Sequence, residues 1–256
     1  MAITRGNTGE FVGQNSMQRE ERTVNQHNAQ NPGLPQPARR LIAGVASLAS
    51  LILLSALFKW TNHNILQLAV WLTAAGVSGA VKLRFPKVEG SFSLGYFVVL
   101  AVIAALDFPE TMAMCVVIPA VQCYWRPLKR PVPIQVFFNI SNYVLSGACA
   151  WLAYHALEHL PADPGLAAHL ALAAAVFFLA NTGLVSWILS MVSGRRVIDI
   201  WENSFLLVFP YYLAGAACAG IFAWKIDAAI WLAAAPALFL LGLLYASMRA
   251  WIRKLT

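Results

Sequence analysis

"ARRLIAGVASLASLILLSALFKW", residues 38–60, decides the fold. Arg39 and Arg40 open it, Lys59 and Trp60 close it, and nothing from Leu41 to Phe58 carries a charge. An α-helix needs about 20 mostly apolar residues to cross the ~30 Å hydrocarbon layer of a bilayer. The rest of the chain repeats the pattern. Of its 256 residues 59% are apolar and only 11% are charged, against about 25% charged in ordinary soluble domains. There are too few charges to build a polar shell in water, so the bilayer is the expected solvent.

Eight stretches pass as spans: 40–58, 64–82, 91–108, 109–125, 134–157, 166–192, 204–224 and 228–248. The expected fold is all-α, a polytopic membrane helix bundle of about eight transmembrane spans. The third and fourth are short and joined by "DFPE" (107–110). Pro109 is expected to force a sharp turn there, because the residue before a proline avoids the helical region. The pair is read as a tight hairpin that crosses the membrane or stops short of it.

An even count puts both termini on one side, and the Lys/Arg bias sets which. With both in the cytoplasm, the inner segments hold sixteen Lys and Arg and the outer ones hold Lys59 and Lys225 alone. Topology therefore accounts for the net charge of +7, and nucleic acid is not an expected partner. Trp60, Trp125, Trp201, Trp224, Trp231 and Trp251 fall near span ends, where indole suits the membrane interface. The expected location is a bacterial inner (plasma) membrane.

Residues 1–38 are different in kind. They are rich in Asn, Gln, Arg, Glu and Gly. They bury too little apolar surface to offset ordering entropy, so a disordered cytoplasmic tail is expected. Residues 39–256 form the transmembrane domain, reached through the Pro-rich "NPGLPQP" (31–37). Cys115, Cys123, Cys149 and Cys218 all lie in apolar runs without a C-x-x-C pair, and read as small core residues.

Close helix approach in a membrane comes from small side chains. "AAGVSGA" (74–80), "LSGACA" (145–150) and "AGAACAG" (214–220) supply them. Polar residues inside spans each need a partner. Asn139, Ser141 and Asn142 lie in span five, Asn181 and Thr182 in span six, and Tyr211 and Tyr212 after Pro210 in span seven. Gln67 and Gln122 lie in spans two and four. Asn139, Asn142, Asn181, Tyr211 and Tyr212 are the candidate lining of a small-molecule site; interhelical hydrogen bonding is the competing reading. No Asp, Glu, Lys or Arg falls deep in a span. That argues against a proton-driven pump or voltage sensor.

"HALEH" (155–159) matches H-x-x-E-H. On a helix His155, Glu158 and His159 would share a face, as at the start of an inverted zinc-peptidase motif. His63, Asp107, Glu110 and His169 fall at the same outer rim and are possible further ligands, making zinc the alternative cofactor. Topology explains the cluster equally, since loops that exclude Lys and Arg keep His and carboxylates. The chain has no G-x-S-x-G elbow, Walker loop or dinucleotide fingerprint.

From residue 80 onward, "VKLRFPKVEGSFSLGYFVVL" (81–100), "DFPE" (107–110), "VFFNISNYVLSG" (136–147), "FFLANT" (177–182) and "YYLAGAACAG" (211–220) carry a likeness. Together they resemble the multi-pass membrane sensory regions at the N termini of bacterial diguanylate cyclase and HD-GYP signalling proteins. "MRAWIRKLT" (248–256) follows span eight and no GGDEF-type or HD-GYP-type sequence is present. The resemblance therefore implies a sensing module that works with a partner, without cyclic-dinucleotide chemistry in this chain. The short helices and midspan Asn are also similar to the substrate-binding membrane components of vitamin uptake transporters.

Three functions follow as expectations. The first is a non-enzymatic module that binds or senses a small molecule with a membrane or cytoplasmic signalling or transport partner. The second is a metal-dependent hydrolase at the outer face. The third is a structural or assembly membrane protein.

Overall fold

The computed structural model describes residues 34–61, 64–83, 92–125, 127, 131–162 and 164–224. Among them the chain is helical apart from one short antiparallel pairing, Lys82–Leu83 with Phe92–Ser93. The α-helices are α1 (Gln36–Phe58), α2 (Ile65–Ala80), α3 (Gly95–Ala105), α4 (Phe108–Tyr124), α5 (Pro133–Ala156), α6 (Leu166–Ser193), α7 (Val197–Ser204) and α8 (Phe209–Trp224).

α1, α5 with the 3-10 turn that follows it, and α6 are each long and apolar enough to cross a membrane. α7 and α8 make a fourth if the bent pair is one span. The burial pattern of α1 agrees. It buries Ala38, Ile42, Val45, Ala49 and Ala56, and exposes Leu48, Leu51, Leu54, Leu57 and Phe58, the last at 90%. Three alanines with Ile42 and Val45 face the protein, and the largest apolar side chains face out. In water that arrangement would forfeit the hydrophobic term; in lipid it permits close packing at no such cost. The chain is a membrane protein.

Helix ends follow local chemistry. Proline stands in the first turn of α1, α4 and α5, where its missing N–H costs no hydrogen bond. Asn64 caps α2 by accepting from the Gln67 N–H at 3.0 Å. Gly194 ends α6 at φ 70°, and its N–H donates to the Ser190 carbonyl at 2.8 Å.

Four expectations shift here. α1 begins at Gln36, inside the segment assigned to the tail, because Pro37 can occupy a first helical turn. Residues 1–33 lie outside the described residues, as does span eight (228–248). The turn between α3 and α4 falls at Leu106 and Asp107, so Pro109 helps start α4 instead of making the turn. Span seven, expected over 204–224, starts with a bend: α7 ends at Ser204, and it meets Phe209–Gly220 at 60°. Pro210 is the second residue of α8, so it begins a helix and frees no carbonyl within one.

α5 is the hub, packed against α1, α4 and α6. α2 packs on α4, and α8 on α3 and α6. α3 is buried on every side from Gly95 to Ile103, as befits a helix without a polar face. α2 meets α4 at Gly79, where a Cβ would stand 2.6 Å from the Ile118 carbonyl oxygen and 3.3 Å from the Val121 Cβ. Gly76, one turn earlier by three residues, has nothing within 4 Å of such a Cβ. The small-residue stretch 74–80 is thus a contact through Ala75 and Gly79, both buried.

Candidate functional site

The midspan polar residues of three helices meet on one seam. Asn142 of α5, 2% exposed, donates through Nδ2 to Asn181 Oδ1 of α6 at 2.7 Å and to the Asn181 carbonyl at 3.2 Å. The Ser146 hydroxyl donates back to Asn142 Oδ1 at 3.5 Å. Asn181 Nδ2 then reaches Tyr212 Oη of α8 at 3.4 Å. Each amide thereby finds a partner away from water, which buried polar groups require.

An aromatic layer backs this chain. The Tyr212 ring lies 4.4 Å from Tyr96 and 4.9 Å from Phe178, centre to centre. Tyr96 of α3 donates its hydroxyl to the Tyr211 carbonyl. Gly215 makes that approach possible, because a Cβ there would fall within the Tyr96 ring. Lower on α6, Trp201 Nε1 of α7 donates to Thr182 Oγ1 at 2.9 Å, and Thr182 donates to the Phe178 carbonyl at 2.6 Å. α3, α5, α6, α7 and α8 are all tied into one assembly.

Of the five expected lining residues, Asn142, Asn181 and Tyr212 come together, and Tyr211 adjoins them through Tyr96. Asn139 does not: it is exposed and its Nδ2 lies 3.4 Å from Cys123 Sγ of α4. The three that converge do so largely on one another. Sequence reasoning missed Tyr96, Ser146 and the role of Trp201. Tyr96 had a signal, the single polar tip in "GYFVVLAVIAA" (95–105), since a buried Tyr hydroxyl finds a partner. Cys115 is buried, Cys123, Cys149 and Cys218 are half-buried, and all four are free.

Along the same seam lies a groove of about 550 Å³ between α6 and α8. Leu166, Ala167, Leu170, Ala171, Leu213, Ala216, Ala217 and Gly220 line it. Leu170, Phe177 and Asn181 share one face of α6, and Tyr212, Ala216 and Gly220 one face of α8, by helical spacing. The groove therefore continues the seam toward the Leu166 end of α6, about 16 Å of helix beyond Asn181. Its wall is almost wholly apolar.

The outer rim is organised differently from a shared helical face. α5 ends at Ala156, and Leu157–His159 is a 3-10 turn, so "HALEH" straddles two helical geometries. His155 Nδ1 and Glu158 Oε1 are 2.9 Å apart. The His155 ring lies against Trp151, tilted by 44° with centres 4.1 Å apart, and His159 is exposed. His169 is buried edge-on to Tyr154 at 4.9 Å. Glu110, in the first turn of α4, is 3% exposed with no hydrogen bond to Oε2 among the described residues, so its carboxyl is packed inside the bundle. Asp107 is exposed and His63 lies outside the described residues. Among the described residues no three of His, Cys, Asp and Glu are grouped to hold a metal ion.

No family model matches this sequence, and no curated protein and no solved structure matches it.

Proposed function

We propose that the chain is a non-enzymatic, multi-pass inner-membrane module that binds or senses a small apolar molecule and passes the signal, or the molecule, to a partner protein. The observation that carries this reading is the apolar groove between α6 and α8, the same two helices that the Asn181–Tyr212 bond joins farther along, beyond the packed Ala173, Ala174 and Phe177. An occupant that spreads α6 from α8 would strain the Asn181–Tyr212 bond first. Tyr96 would then carry the change to α3. Eight spans with both termini in the cytoplasm belong to the same proposal, supported by the Lys/Arg distribution.

The test is native mass spectrometry of the full chain extracted from membranes. Wild type should retain a small apolar molecule, and Ala171→Phe, which fills the groove, should lose it. Wild type that arrives empty would sink the reading. One observation favours a second reading, a structural or assembly role: the amides satisfy each other. That reading expects identical spectra for the two proteins.

The hydrolase reading has its own check. Zinc measured by plasma mass spectrometry should stay well below one per chain in both wild type and His155→Ala/His159→Ala. One zinc per wild-type chain, lost in the variant, would restore the hydrolase.

A further inference from the structure

The corner joining α6 to α7 is braced to present two cations. Gly194 takes the left-handed conformation. The Ser190 hydroxyl donates to the Arg195 carbonyl at 2.6 Å, and the Arg195 N–H donates to Ser193 Oγ at 3.4 Å. The backbone under Arg195 and Arg196 is thereby fixed, while both residues are exposed. The ion pair found among the described residues, His155 with Glu158, includes neither of them. Asp199 and Glu202 of α7 are the carboxylates nearest in sequence, and neither is paired with an arginine among the described residues.

Apolar side chains lead to this corner from both sides. On the last turns of α6, Leu189 and Val192 are exposed on one face and Trp187 on another, and Val197 and Ile198 are exposed on the first turn of α7; the column is Leu189 and Val192. α7 itself is held down, with Ile200 buried and Trp201 bonded to Thr182. An exposed apolar column ending in two guanidinium groups matches a phospholipid, acyl chain first and phosphate last. Guanidinium binds a phosphate diester through paired N–H groups, and cations near an anionic leaflet are favoured.

We propose that Arg195 and Arg196, with Val197 and Ile198 beside them, form a docking site for an anionic phospholipid of the leaflet they face. The headgroup phosphate rests between the guanidinium groups and the acyl chain lies along the exposed column. An acidic protein would not need that column. The proposal rests on the membrane reading and is independent of the small-molecule groove.

The probes are phosphatidylglycerol and phosphatidylcholine with the same acyl chains, offered in equal amounts to the full chain and read by native mass spectrometry. Wild type should retain phosphatidylglycerol in preference. Arg195→Gln/Arg196→Gln should lower the ratio about tenfold. Arg195→Lys/Arg196→Lys should keep most of it, because the charge remains and only the paired N–H geometry is lost. Lys59→Gln, at the C-terminal end of α1, should leave it unchanged. An equal ratio for wild type and the Gln pair, or no preference in wild type, overturns the site. If the Gln pair fails to fold, the Lys pair and 1 M salt decide: loss of the preference in salt supports the site, and persistence overturns it.

Discussion

Gly79→Ala should destabilise the bundle by about 1–3 kcal/mol, the usual cost of overpacking a tight contact. The added methyl meets the Ile118 carbonyl oxygen at 2.6 Å, and backbone of α4 cannot rotate aside as a side chain can. α2 must retreat from α4, weakening the close approach that holds short helices in lipid. Gly76→Ala is the control. Nothing lies within 4 Å of its new Cβ, so its effect should be near zero or slightly stabilising through helix propensity. Unfolding of the two variants in mixed micelles, followed by circular dichroism, reads the difference. Equal stabilities would show that α2 does not dock on α4 through this stripe.

Asn181→Leu should cost about 1–2 kcal/mol, more than the ~0.6 kcal/mol average for one interhelical bond in a membrane. The excess has a cause. Asn181 serves two neighbours at once, accepting from Asn142 at 2.7 Å and donating to Tyr212 at 3.4 Å. Its loss strands a buried amide donor, which costs more than the bond itself was worth. Asn142→Leu/Asn181→Leu removes the stranded donor with the defect, so the double variant should be less destabilised than the sum of the singles. Strict additivity in a double-mutant cycle would mean that the two amides are not partnered.

The sequence made the membrane character legible because charge is so scarce between Leu41 and Phe58 and in the later runs. α1, α5 and α6 appear near their expected bounds for that reason. Polar residues in span five and span six were visible by contrast with their surroundings, and Asn142 and Asn181 do meet. Asn139 shows the limit of that signal. It lies three residues from Asn142, yet faces Cys123 on α4, because which face a midspan Asn occupies depends on neighbours that hydropathy does not name. Hydropathy was equally blind to the break at residues 205–208, where an apolar run continues while the axis turns by 60°. The tail boundary and the "DFPE" turn moved for one reason. Proline in a sequence suggests a spacer or a turn, and in a first helical turn it is a start.

The burial of α3 on all sides bears on how the chain is made. Its 11 residues span only about 16 Å, roughly half of the hydrocarbon layer. It is therefore poorly suited to leave the insertion machinery by partitioning into lipid alone. Its Tyr96 hydroxyl finds its acceptor on α8, 115 residues later in the chain. A ribosome has by then produced every other described helix that α3 touches. α3 must be held, by the insertase or by the half-built bundle, until α8 closes over it. Among the described helices α8 is the last to be made that packs on α3, so a nascent chain arrested before Phe209 would leave Tyr96 without its acceptor and that side of α3 uncovered.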